Sequence, residues 1–180
     1  MGTVIVLGGA RGVGKTHVGE LLEANLGVSC VDGDSSILSW MEAGLKPDPD
    51  DDWLEPMLGE VLRRLEAHAR VSVEVTGEWD SEYKLMGRLE EAGHRTVRVW
   101  LTAPEDEVID RLMGRTRPRR LPATEAEGRG VYRRGAERAA RERWDLTLDI
   151  SGAPKPDYVL ENVRPLLMKA AGGLIRGGGC

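Results

Sequence analysis

The sequence predicts an α/β domain whose parallel sheet is wrapped by helices on both faces, on three observations. Short apolar, β-branched runs alternate along the chain with stretches of helical period, the pattern of successive strand and crossover-helix units. The first run, TVIVL, is apolar throughout, as a strand buried on both faces must be. At 180 residues and 41% hydrophobic, the chain has room for one sizeable core, with no internal repeat and no second-domain boundary.

Taken in order, the first strand, Thr3 to Leu7, passes through a glycine-rich turn into a helix that starts near Lys15. Its Val18, Leu21, Leu22 and Leu26 fall at helical spacing. Further strands are expected over Val28 to Asp32, Val71 to Thr76, Thr96 to Thr102 and Leu146 to Ile150, each short and apolar. Helical patterns lie between them at Ser36 to Ala43, Trp53 to His68, Ser81 to Ala92 closed by Gly93, and Pro104 to Met113. The last opens with a proline and three acids, which suits a helix N-terminus. Two more helices are expected over Arg129 to Arg143 and Asp157 to about Ala171.

Two segments resist regular assignment. Leu45 to Asp52, LKPDPDDD, is a proline-broken acidic loop, and Arg115 to Gly130, RTRPRRLPATEAEGRG, is too polar and proline-interrupted for a core. The second reads as a lid, because a long loop rich in arginine is more often functional than idle. The tail, about 172 to 180, is expected to be flexible.

The turn after the first strand carries the chemistry. Gly9 to Thr16, GARGVGKT, matches G-x-x-x-x-G-K-[ST], the P-loop or Walker A motif. Glycine lets successive N–H groups turn toward one point, and the helix that follows adds its free N–H groups and positive dipole end to the same anion site. Lys15 supplies a mobile cation, and the Thr16 hydroxyl can coordinate a magnesium ion bridging phosphates. The expected nucleotide-binding set is Gly9, Ala10, Arg11, Gly12, Val13, Gly14, Lys15, Thr16 and His17. A structural glycine turn or a dinucleotide fingerprint fits less well, since the glycines run G-x-x-G-x-G and Lys15-Thr16 follows at once. Asp32-Asp34 and Gly77-Glu78 fall at strand ends on the same edge of such a sheet, where ligands bind.

Composition narrows the rest. No apolar run approaches membrane-spanning length, neither secretion nor lipidation is expected, and Cys30 and Cys180 suggest no disulfide framework. A cytoplasmic protein without membrane or nucleic-acid partners, monomeric or homodimeric, is expected. The net charge of -5 hides a split: Arg115 to Arg143 holds ten arginines and four glutamates, +6, leaving -11 for the remainder. A local arginine block on an acidic protein suits an element that meets phosphate, although a salt-bridged helix face is the better account of most of these arginines singly.

With these residues in place, the chain resembles the small P-loop kinases of the shikimate kinase, gluconate kinase and adenylylsulfate kinase type over most of its length. The resemblance rests on the P-loop, the DGD of Asp32 to Asp34, VWLTAPEDEVIDRLMGRTRPRR, and RWDLTLDISGAPKPDYVLENV. It implies a three-layer P-loop NTPase fold with a five-stranded parallel sheet in order 2-3-1-4-5, an arginine-rich lid closing over ATP, and an acceptor site built by the segment of about 34 to 64. It further implies that Asp32 holds Mg2+ through its water shell. Asp34 would bind the acceptor hydroxyl and take its proton, with Arg115 and Arg120 reaching the phosphates. On the residues alone, Asp32 also fits a ribose-binding acid and Asp34 a helix N-cap.

The chain departs from that pattern on the acceptor side. TGEW, Thr76 to Trp79, stands where shikimate kinases carry a glycine triplet, and no arginine lies between Lys15 and Arg63. Acceptors with a carboxylate or phosphate therefore lose their bidentate partners. Acids and tryptophans remain: Trp40, Trp53, Glu78 and Trp79 are the candidate acceptor residues, although Trp40 also suits a helix core. The expected activity is transfer of the γ-phosphate of Mg-ATP to a hydroxyl of a neutral, amine-bearing or aromatic small molecule, a metabolite or an antibiotic. The alternatives are a nucleoside or nucleotide kinase, or an ATP-binding switch without catalysis.

Overall fold

The computed structural model describes residues 1–33, 54–114 and 124–172. Five strands and six helices alternate among them: β1 (Thr3–Gly8), α1 (Lys15–Leu26), β2 (Ser29–Val31), α2 (Leu54–Ala67), β3 (Arg70–Val75), α3 (Asp80–Glu91), β4 (Arg95–Thr102), α4 (Glu105–Met113), α5 (Glu125–Ala139), β5 (Leu146–Asp149) and α6 (Pro156–Gly172). The expected helix at Ser36 to Ala43, the acidic loop Leu45 to Asp52 and the tail from residue 173 lie outside the described residues.

All strand pairs are parallel, in the order β2-β3-β1-β4-β5. β1 is the central strand, and Val4, Ile5, Val6 and Leu7 are wholly inaccessible to solvent. Its side chains alternate between two cores, as period 2 requires. Ile5 and Leu7 pack with Val18 and Leu22 of α1 and with Val159, Val163 and Leu167 of α6. Val4 and Val6 pack with Met57 and Val61 of α2 and Leu85 and Leu89 of α3. This sandwich of helices, sheet and helices holds the carboxyl ends of β1, β2 and β3 side by side.

Most boundaries fall within a residue or two of expectation. β2 is shorter, three residues in place of five, because it is an edge strand with only β3 to pair. The larger difference is α5, which begins at Glu125 and ends at Ala139 where Arg129 to Arg143 was expected. Its start is set by a reciprocal cap: the Thr124 hydroxyl accepts the Glu127 N–H at 3.2 Å, and the Glu127 carboxylate accepts the Thr124 N–H at 3.0 Å. Its end is set by Trp144, whose indole N–H donates to the Ala139 carbonyl at 3.2 Å. Residues 125–130 of the expected lid are therefore helical, and 115–123 lie outside the described residues.

Candidate functional site

The turn between β1 and α1 takes a shape that side chains would forbid. Gly9, Gly12 and Gly14 have φ of 150°, 88° and 113°, and a Cβ on Gly12 would stand 2.9 Å from the Val108 carbonyl oxygen. Gly14 is the N-cap of α1, so the helix opens directly onto the loop. No acid occupies its first turn, which leaves the positive end of the dipole facing an anion. Lys15 is only 8% exposed, and its Nζ donates to the carbonyls of Gly9 at 2.7 Å and Ala10 at 3.2 Å. A buried ammonium held on backbone carbonyls is a cation kept in place for a phosphate. Ala10 and Val13 are buried, Arg11 is half-buried, and His17 is exposed.

Thr16 sits in the first turn of α1, where its hydroxyl donates to Glu74 Oε2 at 3.3 Å. Glu74 lies on β3 directly beside Leu7 of β1. Asp32, half-buried, follows the last residue of β2, and the next residue, Gly33, packs against the Glu74 carbonyl. Thr16 and Glu74 are joined, and Asp32 stands at the end of the strand beside β3; these hard oxygen donors are of the kind that would suit Mg2+ next to a phosphate. No cluster of three or more His, Cys, Asp or Glu side chains among the described residues forms a self-sufficient metal cage.

The turn after β3 is tightly organised. Glu82, 3% exposed, accepts hydrogen bonds from the Thr76 N–H, from the Thr76 hydroxyl at 2.9 Å and from the Trp79 N–H at 3.2 Å. Burial pushes the Glu82 carboxyl above the usual range, and these bonds together with the Lys15 charge pull against that rise. Glu78 is not a free anion: its side chain is 8% exposed and paired with Arg134 at 3.3 Å, while its carbonyl accepts from Arg138 at 3.3 Å. Arg138 also pairs with Asp80 and lies 4.9 Å above the Tyr83 ring. Trp79 is half-buried at the N-cap of α3. The other arginines of α5 are similarly engaged, Arg129 with Glu105, Asp106 and Glu125, and Arg133 with Glu105. These are the salt-bridged helix face; they do not point at the phosphate cradle as unpaired cations.

Beside the loop lies a pocket of about 240 Å³, lined by Gly12, Gly14, His17, Arg111, Ile150 and Pro154 among others. Arg111 staples its two walls together, donating to the Val13 carbonyl at 3.1 Å and the Ile150 carbonyl at 3.3 Å. Glu107 pairs with Arg111 and accepts the Gly152 N–H at 2.8 Å. A flat heterocycle attached to phosphates in the cradle would fit there.

The structure brings together the nine loop residues, Asp32, Glu78 and Trp79 at one edge of the sheet. Asp34, Trp40, Trp53, Arg115 and Arg120 lie outside the described residues. Glu74, Glu82 and Arg111 were missed by sequence reasoning. Glu74 did carry a signal, a lone acid inside the apolar strand RVSVEV; Glu82 and Arg111 sit on amphipathic helices where nothing marks them from their neighbours.

An AAA domain model, AAA_18, matches residues 5–130. No curated protein matches the sequence. Among solved structures, shikimate kinase from Bacteroides thetaiotaomicron is similar at 17% identity and a TM-score of 0.66, covering 92% of this chain and 98% of that one. The tunicamycin resistance protein of Deinococcus radiodurans has 20% identity and a TM-score of 0.67, covering 93% and 96%. The APS kinase CysC of Mycobacterium tuberculosis, solved in complex with AMPPNP and APS, has 20% identity and a TM-score of 0.62, covering 93% and 98%. At these identities the likeness establishes a shared P-loop kinase fold. Among the described residues no helix is long and apolar enough to cross a membrane.

Proposed function

The chain belongs to the AAA_18 family of AAA domains, and on that premise we propose that it is a kinase transferring the γ-phosphoryl group of Mg-ATP to a hydroxyl of a small molecule. The observation that carries this reading is the loop Gly9–Thr16 itself, with Lys15 parked on two carbonyls and Thr16 bonded to Glu74. In it, the loop and α1 N–H groups hold the phosphates, and Lys15 leaves the Gly9 and Ala10 carbonyls to bridge them. Thr16, Asp32 and Glu74 would hold the magnesium, which would neutralise charge on the phosphates. The base lies between Arg111 and Pro154. Asp34 orients the acceptor hydroxyl and takes its proton as the acceptor oxygen bonds to the γ-phosphorus and the bond to the β–γ bridging oxygen breaks, releasing ADP. Arg115 and Arg120 stabilise the charge spreading over the transferred group. In a loose transition state alignment counts for more than base strength, so Asp34 acts first as a positioner.

The acceptor is proposed to be neutral or amine-bearing, held by Trp40, Trp53, Trp79 and the Glu78 region. The Arg134–Glu78 pair offsets part of the acidic field and shifts the expectation toward a neutral hydroxylated ring. A tunicamycin resistance protein of the same fold places antibiotics on the panel of acceptors to be tried. Incubation with Mg-ATP and a metabolite extract, followed by mass spectrometry, is expected to reveal a phosphate-sized increment on a small molecule, absent with Lys15→Ala. ATP turnover that no acceptor raises would instead mark a slow nucleotide switch.

A further inference from the structure

We infer that the chain carries a second ligand site, for a small organic anion with an apolar body, at the end of the sheet opposite the P-loop. There a cavity of about 350 Å³ opens between the start of β4, the turn before β5 and the end of α6. Topology creates it: β5 begins opposite Val99, so the first four residues of β4, from Arg95 on, have no strand on their outer edge.

The backbone there points into the cavity. Arg95 donates its N–H inward to Gly2, and Arg98 turns outward, where its carbonyl accepts the Asp145 N–H and its own N–H donates to the Asp145 carboxylate, both at 2.8 Å. Alternation therefore turns the N–H and C=O of Thr96 outward as well, two residues earlier and beyond the reach of β5. Among the described residues nothing meets them. A half-buried strand edge that stays unpaired is a feature that needs a partner or water.

The surrounding charge selects the partner. Arg143 and Lys169 stand at the rim, exposed, with no acidic partner among the described residues, and Arg95 adds a third cation while holding the Lys169 and Ala170 carbonyls. The one carboxylate present, Asp145, is committed to the Arg98 N–H. Cations converge on one cavity in a chain of net charge -5. The walls are mixed: Val97, 5% exposed, and Leu166 supply the apolar side, while the Trp144 indole turns away to pack on Trp100 and donate to the Ala139 carbonyl. A carboxylate or sulfonate at the Thr96 N–H and the rim cations, with its body against Leu166 and Val97, satisfies each group.

The test uses 8-anilinonaphthalene-1-sulfonate as probe on the whole protein and needs no turnover, so it stands apart from the kinase reading. Fluorescence titration with Mg-ADP saturating is expected to show one saturable site per chain. The Arg143→Ala/Lys169→Ala variant should raise its Kd about tenfold or more, the scale of losing two charged contacts. The charge reversal Lys169→Glu, on an exposed helix position, should do the same. The uncharged analogue N-phenyl-1-naphthylamine should bind far more weakly. Displacement of the probe by Mg-ADP, a Kd unchanged within about twofold in both variants, or equal binding of the uncharged analogue each overturns the site.

Discussion

Lys15 is the residue whose loss has the clearest expected reading. It is buried on two carbonyls, so Lys15→Ala leaves those acceptors to the loop's own N–H groups and water while deleting the cation. The fold should persist, with phosphoryl transfer lost to below about a thousandth of wild type, a scale set by the phosphate-facing cations of such sites. Circular dichroism and a radiolabelled transfer assay check the two halves, and near-normal transfer by the folded variant would falsify the loop assignment. Glu82 gives a prediction of a different kind. Its carboxyl is raised by burial, so the native state keeps a proton that the unfolded chain releases above its ordinary value of about 4.3. The unfolded state then binds fewer protons, and stability falls as pH rises through the window above that value. Glu82→Gln lacks this slope. Urea midpoints measured at pH of about 4.5 and about 8 should therefore show the variant gaining on the wild type as pH rises; a deficit that widens with pH removes the desolvation argument. Glu82 bonds Thr76 and feels the charge of Lys15, yet of the two only Lys15 was legible in the sequence. The motif G-x-x-x-x-G-K-[ST] fixes a backbone shape, whereas Glu82 acquires its role from a turn that only the folded chain forms.

At the scale of elements, legibility followed how local the determining interaction was. Strands β1, β3 and β4 are bounded by their own apolar runs, and α4 by Pro104 and three acids, so the sequence marks them within a residue. The boundaries of α5 depend on choosing between two polar stretches of similar helix propensity. The Thr124–Glu127 box decides its start and a contact from Trp144, five residues beyond its last residue, decides its end. The T-x-x-E pattern was there to be seen, masked by the prolines just before it. Thr124→Ala should cost about 1 kcal/mol of stability, the usual worth of such a cap, without changing nucleotide affinity. Denaturant melts and a nucleotide titration measure both, and a large loss of affinity would mean that α5 positions the phosphate site directly. The arginines of α5 teach the complementary lesson. Their composition pointed to a salt-bridged helix face for most of them, and Arg129, Arg133, Arg134 and Arg138 do pair with Glu105, Glu78 and Asp80, but the identity of those acids, far off in sequence, was not legible.

For the whole molecule, the consequence of the architecture is that nucleotide binding and stability are one equilibrium. The cradle is built from the β1–α1 loop, the pocket proposed for the base from that loop and the β5–α6 turn, and Arg111 of α4 joins the two across the sheet edge. A ligand that fills both parts binds only the folded chain, so Mg-ADP at one hundred times its Kd should add about 2.7 kcal/mol to the unfolding free energy. For a chain of this size that raises Tm by several degrees. Arg111→Ala removes the staple while leaving every phosphate contact in place. Its side chain is 29% exposed and replaceable by water on one side, so the domain should fold. The pocket walls are then free to separate, and the expected result is about a tenfold rise in the Kd for Mg-ADP with little change in affinity for inorganic pyrophosphate, which needs the cradle alone. Thermal shift with the two ligands separates the outcomes: equal losses for both would place Arg111 in the phosphate site, and no loss for either would mean that the nucleotide base lies elsewhere than between Arg111 and Pro154.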